Sequence, residues 1–317
     1  MKALVARPGG FGDVLLTGPA VRAVATRATR VTMLCEADGA AAARLLPHVD
    51  DVVVWDTPQD GTDPPAEDTD TDTESVIRRL RNEAYDVALV LTSDGRCPLP
   101  TAELLRRARV GRVVADGTAR AGGLLPEDRH RLPPGRHEAE AALDTATALG
   151  FALRAGDDGR LRVLPAPDTA TLTGNGPYVV VHPGSGGPAD AWDPERWAEA
   201  VALLADAGHR VVVTGAPEEA ALTRRVGGDT AVDLGGRTTP RTLAGVLRSA
   251  DVLVAGDTGP AHLAAAVGTP VVSLFSAAVK PAEHGAPYRV PTVPLGEQGL
   301  ARVTEQDVVR AVRKLLC

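Results

Sequence analysis

A short glycine-rich stretch near the N terminus ends in a carboxylate, and this combination of residue types could support proton transfer. Residues 8–13 read PGGFGD and follow the apolar run Lys2–Arg7. Glycines allow a tight turn in which the backbone approaches a ligand closely, and an aspartate placed there can accept a proton from a hydroxyl group. The alternative is structural, because an acidic residue in the first turn of a helix commonly caps it. Asp13 is therefore a candidate general base, and the loop before it contains Gly10, Phe11 and Gly12.

Two glycine-rich loops in the second half of the chain carry residue types suited to phosphate. Residues 182–187 (HPGSGG) follow an apolar run. The amides of Gly184, Ser185 and Gly186 could cradle a phosphate, although an ordinary strand-to-helix turn has the same composition. Residues 256–262 (GDTGPAH) lead into a helix predicted to start near Pro260. Free N–H groups and the helix dipole at that point favour an anion such as a pyrophosphate.

The residues of this third loop have different potential roles. Thr258 adds a hydroxyl donor, whereas Asp257 is acidic and either orients the loop or binds a sugar hydroxyl. His262 lies one helical turn in and either donates to a phosphate or packs in the core. The candidate ligand-binding residues in this loop are Asp257, Thr258, Gly259, Pro260 and His262.

Standard nucleotide-binding motifs are absent from the sequence. No G-x-x-x-x-G-K-[ST] occurs, which excludes a P-loop. The G-x-G-x-x-G fingerprint fails near the N terminus because Leu15 occupies its last position, although Glu36 ends the second predicted strand as a ribose-binding acid would. Residues 184–189 match G-x-G-x-x-A, but the next helix is predicted to start only at Pro194. We therefore interpret this match as accidental.

Alternating strands and helices must position these loops. Such alternation indicates α/β domains with parallel sheets, and prolines in the first helical turns with glycines after helix ends agree with it. In the first half, strands are predicted at Lys2–Arg7, Arg30–Glu36, Asp51–Trp55 and Asp86–Leu91, and helices at Asp13–Thr29 and Glu74–Ala84. In the second half, strands are predicted at Tyr178–His182, Arg210–Thr214, Ala231–Leu234, Val252–Ala255 and Val271–Phe275, and helices at Pro194–Ala207, Pro217–Val226, Pro240–Ser249, Pro260–Val267 and Arg302–Leu316. Ligands of open α/β sheets bind at the carboxyl ends of the strands. Because two such domains in tandem would place these ends face to face, we expect the site in a cleft between the halves.

Two shifts in composition mark boundaries. Residues 164–176, rich in Pro, Thr and Gly, predict a linker between an N-terminal Rossmann-like domain (1–165) and a C-terminal one (166–317). The tract Asp60–Ser75 is rich in Asp, Thr, Pro and Glu with almost no apolar residues, and it predicts a mobile, solvated loop. Capture of a basic acceptor by this tract is the alternative.

Length, charge and cysteine content limit the function classes. The 317 residues suffice for two domains, and a net charge of -7 argues against binding to nucleic acid or to an anionic membrane. The three cysteines have neither metal-ligand spacing nor the pattern of a disulfide framework. No secretory signal is predicted, and no apolar run is long enough to cross a bilayer. We therefore expect a cytoplasmic protein without a transmembrane segment.

Three stretches together resemble the bacterial heptosyltransferases of glycosyltransferase family nine, whose lipopolysaccharide-core members use ADP-heptose. They are Arg7–Pro19 (RPGGFGDVLLTGP), Val181–Trp197 (VHPGSGGPADAWDPERW) and Val232–Phe275, in which DTGPAHLA is the most specific segment. The resemblance implies a GT-B architecture, with the acceptor on the N-terminal domain and the nucleotide-sugar donor on the C-terminal domain. It also implies that the last helix, 302–316, packs back on the N-terminal domain.

The resemblance further implies an inverting transfer without an essential metal or cofactor. A heptose or related sugar, with ADP-heptose favoured as donor, would move to an acceptor hydroxyl. Asp13 matches the family's base in its Gly-Asp motif, and Thr258, Gly259 and His262 match its donor-phosphate loop. The donor base and sugar stay open, and the acceptor is a glycan or a small natural product.

One position departs from the family pattern. The family usually has a lysine two residues before the tryptophan of the entry loop, where it contacts donor phosphate, and Asp190 takes that place here. A carboxylate beside a pyrophosphate is repulsive. Lys280 is the leading candidate to supply the missing charge, and Arg237 is another. Two alternatives stay open. One is an inactive sugar-nucleotide-binding homologue, which the replaced lysine supports. The other is an NAD-dependent Rossmann enzyme, against which the missing glycine fingerprint argues.

Overall fold

The chain divides into two compact units, Met1–Arg162 and Val163–Cys317. The structure, a computed structural model, describes residues 1–56, 69–92, 97–116, 129–130, 136–185, 191–275 and 287–317. The boundary predicted from composition, between residues 165 and 166, lies three residues beyond this division.

The first unit is a parallel sheet with helices. Its strands are β1 (Lys2–Arg7), β2 (Arg30–Cys35), β3 (Asp51–Val54), β4 (Val87–Val90), β5 (Arg112–Asp116) and β6 (Arg129–His130). Its helices are α1 (Phe11–Leu16), α2 (Gly18–Ala25), α3 (Ala40–Ala43), α4 (Thr69–Glu83), α5 (Leu99–Arg107) and α6 (Glu138–Ala148). The strand order among the described residues is β3-β2-β1-β4-β5-β6, with every pair parallel.

The second unit repeats this architecture. Its strands are β7 (Val179–His182), β8 (Val211–Val213), β9 (Val232–Asp233), β10 (Val252–Gly256), β11 (Val271–Leu274) and β12 (Thr292–Leu295). Its helices are α7 (Ala170–Thr173), α8 (Pro194–Asp206), α9 (Ala220–Gly227), α10 (Pro240–Arg248), α11 (Gly259–Val267) and α12 (Glu305–Leu316). The order is β12-β11-β10-β7-β8-β9, all parallel. Read from its other edge, this is the order of the first sheet and of Rossmann domains, which confirms the predicted fold class.

The central strands of both sheets are buried on both faces. Every residue of β7 and β10 is buried, as is β1 from Ala3 onward. Near-continuous apolar runs of this kind are typical of parallel sheets covered by helices on both sides. Most of each core consists of Ala, Val and Leu, in keeping with the low aromatic content of the chain.

The last helix, α12, buries its apolar face within its own unit. Val308, Val309, Ala311 and Val312 are buried in the core that also contains α8 and the strands β10 and β11. Thr304 caps the helix, because its hydroxyl accepts the N–H of Asp307. That α12 also packs on the first unit stays a prediction.

The single helix predicted over Asp13–Thr29 is wrong in its bounds. The structure has two helices here, and the first begins earlier, at Phe11. Pro19 has no N–H to continue the hydrogen-bond ladder of α1, whereas the first turn of a new helix tolerates it. The Thr17 hydroxyl donates to the carbonyl of Val14 at 2.7 Å at the junction. Asp13 therefore lies in the first turn of a short helix.

The acidic tract is also different from its predicted form. Residues from Thr69 to Ser75 belong to helix α4, and residues 60–68 lie outside the described residues. Threonine and aspartate are favoured at helix starts, and acidic groups there interact favourably with the helix dipole. Trp55 Nε1 donates to Thr73 Oγ1 at 3.2 Å, and Glu74 forms an ion pair with Arg107. The prediction of a mobile loop is therefore wrong for the second half of the tract.

Candidate functional site

The three predicted loops lie where strand order reverses in their sheets. In the first unit the loop with Asp13 follows β1, which lies between β2 and β4. In the second unit the loops with Gly184 and Thr258 follow the neighbouring strands β7 and β10. Ligands of doubly wound sheets bind at the carboxyl ends of strands at this position. The structure therefore gives each unit one candidate loop cluster.

Both oxygens of the Asp13 carboxylate accept hydrogen bonds from its own unit. Oδ2 accepts the N–H of Gly10 at 2.9 Å, and Oδ1 accepts from Nη2 of Arg7 at 3.1 Å. The bond to Gly10 caps α1, so the structural role considered for Asp13 is present. The side chain is nevertheless 31% exposed. Because a carboxylate offers about four acceptor sites, Asp13 can accept a further hydrogen bond from a ligand hydroxyl.

Arg7 and Glu138 complete this cluster, and sequence reasoning assigned neither of them. Arg7 ends β1 and is buried, and its Nη2 also donates to Glu138 Oε2 at 2.7 Å. Glu138 is the first residue of α6 and is likewise buried. The signal that could have pointed to them is an arginine at the end of a buried strand, since a buried charge needs a partner.

The backbone of the first loop fits closely around Asp13. Gly9 has φ +134°, a conformation that L side chains rarely adopt, and a Cβ there would lie 2.6 Å from Asp13 Oδ2. Gly10, Phe11 and Gly12 are half-buried at the same turn. The glycine at position 9 thus lets the carboxylate fold back onto its own loop.

In the second unit, Glu219 joins the loops after β7 and β8. Its carboxylate lies so close to Gly184 that any Cβ at that position would overlap Oε1. Oε2 accepts the N–H of Ala216 at 2.8 Å. Gly256, at the end of β10, approaches the carbonyl of Gly184, with 3.9 Å between that oxygen and an ideal Cβ. The loops after β7, β8 and β10 therefore meet at one edge of the sheet, and Glu219 is a candidate ligand-binding residue that the sequence analysis missed.

His182 lies beneath this edge and is a structural residue. It is buried at the end of β7, with Nδ1 3.0 Å from Thr214 Oγ1 and Nε2 3.8 Å from Glu219 Oε2. Burial lowers the pKa of His182 from 6.5 to about 4. The imidazole is therefore neutral near pH 7 and adds no positive charge to the loops above it.

The third predicted loop forms the start of α11. Thr258 is the N-cap residue, but its hydroxyl does not accept a helix N–H and instead lies 3.5 Å from the carbonyl of Gly256. Gly259 and Pro260 form the first turn and are half-buried. His262 is buried, with Nε2 3.9 Å from Asp257 Oδ1. This helix start presents backbone dipoles and a hydroxyl, the groups that bind an anion.

Of the two residues predicted to supply a cation, Arg237 lies among the described residues and Lys280 does not. Arg237 is exposed in the loop after β9, and its Nη1 donates to the carbonyl of Asp233 at 3.2 Å. Gly236 beside it approaches Pro217, in the loop after β8. Arg237 therefore lies at the same sheet edge as Glu219. Three further predictions concern Gly186, Asp190 and Lys280, which lie outside the described residues.

Neither a metal centre nor a membrane span is found in the part of the chain that the structure describes. Among those residues, no group of three or more His, Cys, Asp or Glu side chains could hold a metal ion. No described helix combines the length and the apolar character that crossing a membrane requires.

Comparison with known proteins gives relatives for both units. Lipopolysaccharide heptosyltransferase 3 of Escherichia coli K12 is 26% identical over 218 residues, which is 64% of this chain and 62% of the relative. The match therefore spans less than two thirds of that protein.

Two solved structures share the fold over nearly the whole chain. A glycosyltransferase family 9 protein from Veillonella parvula superposes with a TM-score of 0.79 at 19% identity, covering 99% of this chain and 97% of the other. The E. coli heptosyltransferase WaaC with ADP-2-deoxy-2-fluoro heptose gives 0.76 at 21% identity, covering 99% of each. The family model for glycosyltransferase family 9 (heptosyltransferase) matches residues 73–301, well over half of the chain. The chain therefore belongs to glycosyltransferase family 9.

Proposed function

We propose that this protein is an inverting glycosyltransferase that moves a heptose or a related sugar from a nucleoside-diphosphate donor to an acceptor hydroxyl, with Asp13 as general base. The observation that carries the proposal is the Asp13 carboxylate, which is fixed at both oxygens yet 31% exposed at the carboxyl end of β1. Family membership supports the reaction class, and the relative bound to ADP-2-deoxy-2-fluoro heptose supports ADP-heptose as the favoured donor.

In the proposed reaction, Asp13 accepts the proton of the acceptor hydroxyl while that oxygen attacks the anomeric carbon of the donor sugar. The bond from the anomeric carbon to the diphosphate breaks, and the nucleoside diphosphate leaves with the electron pair. A single displacement of this kind inverts the anomeric configuration. General-base assistance contributes about 10²–10⁴ in rate.

The second unit supplies the donor site in this proposal. The leaving diphosphate gains negative charge as the bond breaks, and a helix start oriented beforehand stabilises that charge. The amide of Gly259 and the hydroxyl of Thr258 lie at the start of α11, and Gly184 and Ser185 belong to the neighbouring loop after β7. We assign Asp257 and His262 to orienting this loop, since His262 Nε2 lies 3.9 Å from Asp257 Oδ1.

Other donor contacts are assigned by charge. Glu219 is suited to the ribose hydroxyls, because a carboxylate accepts hydrogen bonds from a diol and repels phosphate. A cation is needed where the family usually has lysine and this chain has Asp190. We assign that role to Lys280 or to Arg237, of which Arg237 lies at the same sheet edge as Glu219.

The remaining features of the proposal concern cofactors, partners and location. We propose that the transfer needs no metal and no cofactor besides the nucleotide sugar, and that the acceptor is a glycan or a small natural product. The net charge of -7 argues against nucleic acid as a partner. A cytoplasmic location, where nucleotide sugars are available, agrees with these assignments.

Donor binding without transfer is the second candidate function. The observation that favours it is Asp190, which places a carboxylate where a phosphate-binding lysine is usual in the family. Such a protein would bind a nucleotide sugar and would fail to transfer it to any acceptor.

The first experiment measures thermal unfolding with ADP, GDP, UDP, TDP, NAD and ADP-heptose, without added metal. Binding to the folded state raises the midpoint, and a ligand at 100 times its Kd adds about 2.7 kcal/mol to the free energy of unfolding. We expect ADP and ADP-heptose to raise the midpoint and ADP-heptose to be consumed when acceptors are added. A shift with NAD alone, or with none of the ligands, would contradict the proposal.

A pair of threonine variants makes the binding test specific to one site. Thr258→Val removes the hydroxyl at the start of α11 and should reduce the shift caused by ADP. Thr304→Val is the matched control, since Thr304 caps α12. It should lower the midpoint of the free protein and leave the shift caused by ADP unchanged. Equal ADP shifts in both variants would remove Thr258 from the donor site.

A further inference from the structure

A buried acidic side chain lies behind the guanidinium that contacts Asp13. One nitrogen of Arg7, Nη2, donates to Glu138 Oε2 at 2.7 Å and to Asp13 Oδ1 at 3.1 Å. The side chains of Arg7 and Glu138 are 3% and 8% exposed, whereas that of Asp13 is 31% exposed. A single cation therefore connects a carboxylate in the core to one at the surface of the candidate site.

Glu138 lies on a capped helix that packs against several other elements of the unit. It is the first residue of α6, a helix capped by His137, whose Nδ1 accepts the N–H of Ala139 at 3.1 Å. Helix α6 packs against α1, α2 and β5. The acid also lies at the end of the helix where the dipole favours a negative charge. Its carboxylate is thus a fixed acceptor for Arg7.

We propose that Glu138 is a positioning residue, which acts through Arg7 to hold the Asp13 carboxylate in the orientation that receives the acceptor's proton. The inference rests on the proposed function, in which Asp13 is the base. Two carboxylates share one guanidinium here, and the shorter bond goes to Glu138. When the charge of Glu138 is removed, the guanidinium is drawn toward Asp13 and closes on Oδ1, the oxygen that Arg7 already contacts. Side-chain positions at a reacting centre matter steeply, since a misplacement of about 1 Å can lower the rate about 100-fold.

An ion pair that only ties α6 to β1 predicts a different outcome. Its loss would lower the stability of the unit and leave the chemical step unchanged in the molecules that stay folded. The pair between Arg22 and Asp157 is a pair of this kind in the same unit, with bonds of 2.8 and 2.9 Å and nearly complete burial. Asp157→Asn is therefore the matched control.

The test is a double-mutant cycle on Glu138→Gln and Asp13→Asn, with kcat and KM measured for donor and acceptor. Glutamine keeps the volume of the side chain and can still accept from Arg7, so the variant should fold. We expect Glu138→Gln to lower kcat about 10-fold with the donor KM unchanged, and to have no further effect in the Asp13→Asn background. Glu138→Asp, which keeps the charge, should retain more turnover than Glu138→Gln. Asp157→Asn should lower the thermal midpoint and leave kcat unchanged.

Each other outcome overturns the inference. Wild-type turnover in Glu138→Gln, together with an inactive Asp13→Asn, would leave the proposed function intact and reject the role of Glu138. An equal loss from Glu138→Gln with and without Asp13 would show that Glu138 acts independently of the base. Wild-type turnover in Asp13→Asn would reject the proposed function itself, and with it the role of Glu138.

Discussion

Substitution of Gly9 by alanine should move the Asp13 carboxylate without changing its chemistry, and it therefore tests the importance of the carboxylate's position alone. A Cβ at residue 9 would lie 2.6 Å from Asp13 Oδ2, so the carboxylate must retreat by roughly 0.8 Å to the 3.4 Å of an ordinary contact. That movement lengthens the bond to the Gly10 N–H, now 2.9 Å. A misplacement of about 1 Å at a reacting group can cost about 100-fold in rate. We therefore expect kcat to fall about 100-fold with the donor KM little changed.

The variant also has a cost in stability that needs its own control. The φ of +134° at Gly9 is unfavourable for alanine, by about 1–3 kcal/mol. Gly156 has φ +86° in the same unit, and no atom within 4 Å would meet its Cβ. Gly156→Ala should therefore lose stability and keep its turnover. The assay measures steady-state ADP release alongside the unfolding free energy of both variants. Equal turnover in the two variants would refute the claim that the position of Asp13 limits the rate.

Three further predictions follow from particular contacts. Hydrogen bonds from Arg22 lower the pKa of Asp157 from 3.8 to about 2, so this pair stabilises the unit above pH 4 and loses its contribution as the pH falls toward 2. Urea titrations should show Asp157→Asn less stable by about 2 kcal/mol at pH 7 and equal to the wild type near pH 2, and a difference independent of pH would contradict this. Gly184→Ala displaces the Glu219 carboxylate and should weaken ADP binding about 10-fold in a titration, unlike Gly208→Ala, whose Cβ meets no atom within 4 Å. Removal of metal with EDTA should leave turnover unchanged, and a loss restored by a divalent cation would contradict metal-independent transfer.

Local signals in the sequence were sufficient for the fold class and for the bounds of several helices in the second unit. Pro194 and Pro240 lie in the first turns of α8 and α10, and Gly268 ends α11 in the left-handed conformation with φ +89°. Each of these residues acts on its own stretch of backbone, so the predicted bounds of α8, α10 and α11 lie within one residue of the observed ones. The glycine-rich loops were recognised for the same reason, since their composition is sufficient to place them between a strand and a helix.

The supporting partners of the candidate site could not be predicted in this way. Arg7 and Glu138 are separated by 131 positions and meet only because α6 packs against α1 and α2. Glu219 reaches Gly184 from the loop after a different strand. Pairing of this kind depends on tertiary packing, which leaves no periodic signal along the chain.

Two sequence predictions were wrong for identifiable physical reasons: the single helix over Asp13–Thr29 and the mobile loop over Asp60–Ser75. A proline beyond the first turn of a helix interrupts its hydrogen-bond ladder. Pro19 would lie in the interior of a helix over Asp13–Thr29, so the sequence itself argues against one continuous helix, and Pro19 instead lies in the first turn of α2. In the tract Asp60–Ser75, the same Thr and Asp residues that suggest disorder are also those favoured at helix starts. Composition alone does not separate these two states.

The central claim is that the Asp13 carboxylate is a base and not only a helix cap, and one pair of variants tests it most directly. Asp307 is the matched control: it lies in the first turn of α12, its Oδ2 accepts the N-cap N–H at 2.8 Å, and its side chain is 31% exposed, as is that of Asp13. Asp13→Asn and Asp307→Asn should each lower stability by about 1 kcal/mol or less. The account predicts that only Asp13→Asn loses turnover, by about 10²–10⁴, while its thermal shift with ADP stays at the wild-type value. Turnover in Asp13→Asn equal to that in Asp307→Asn would contradict the account.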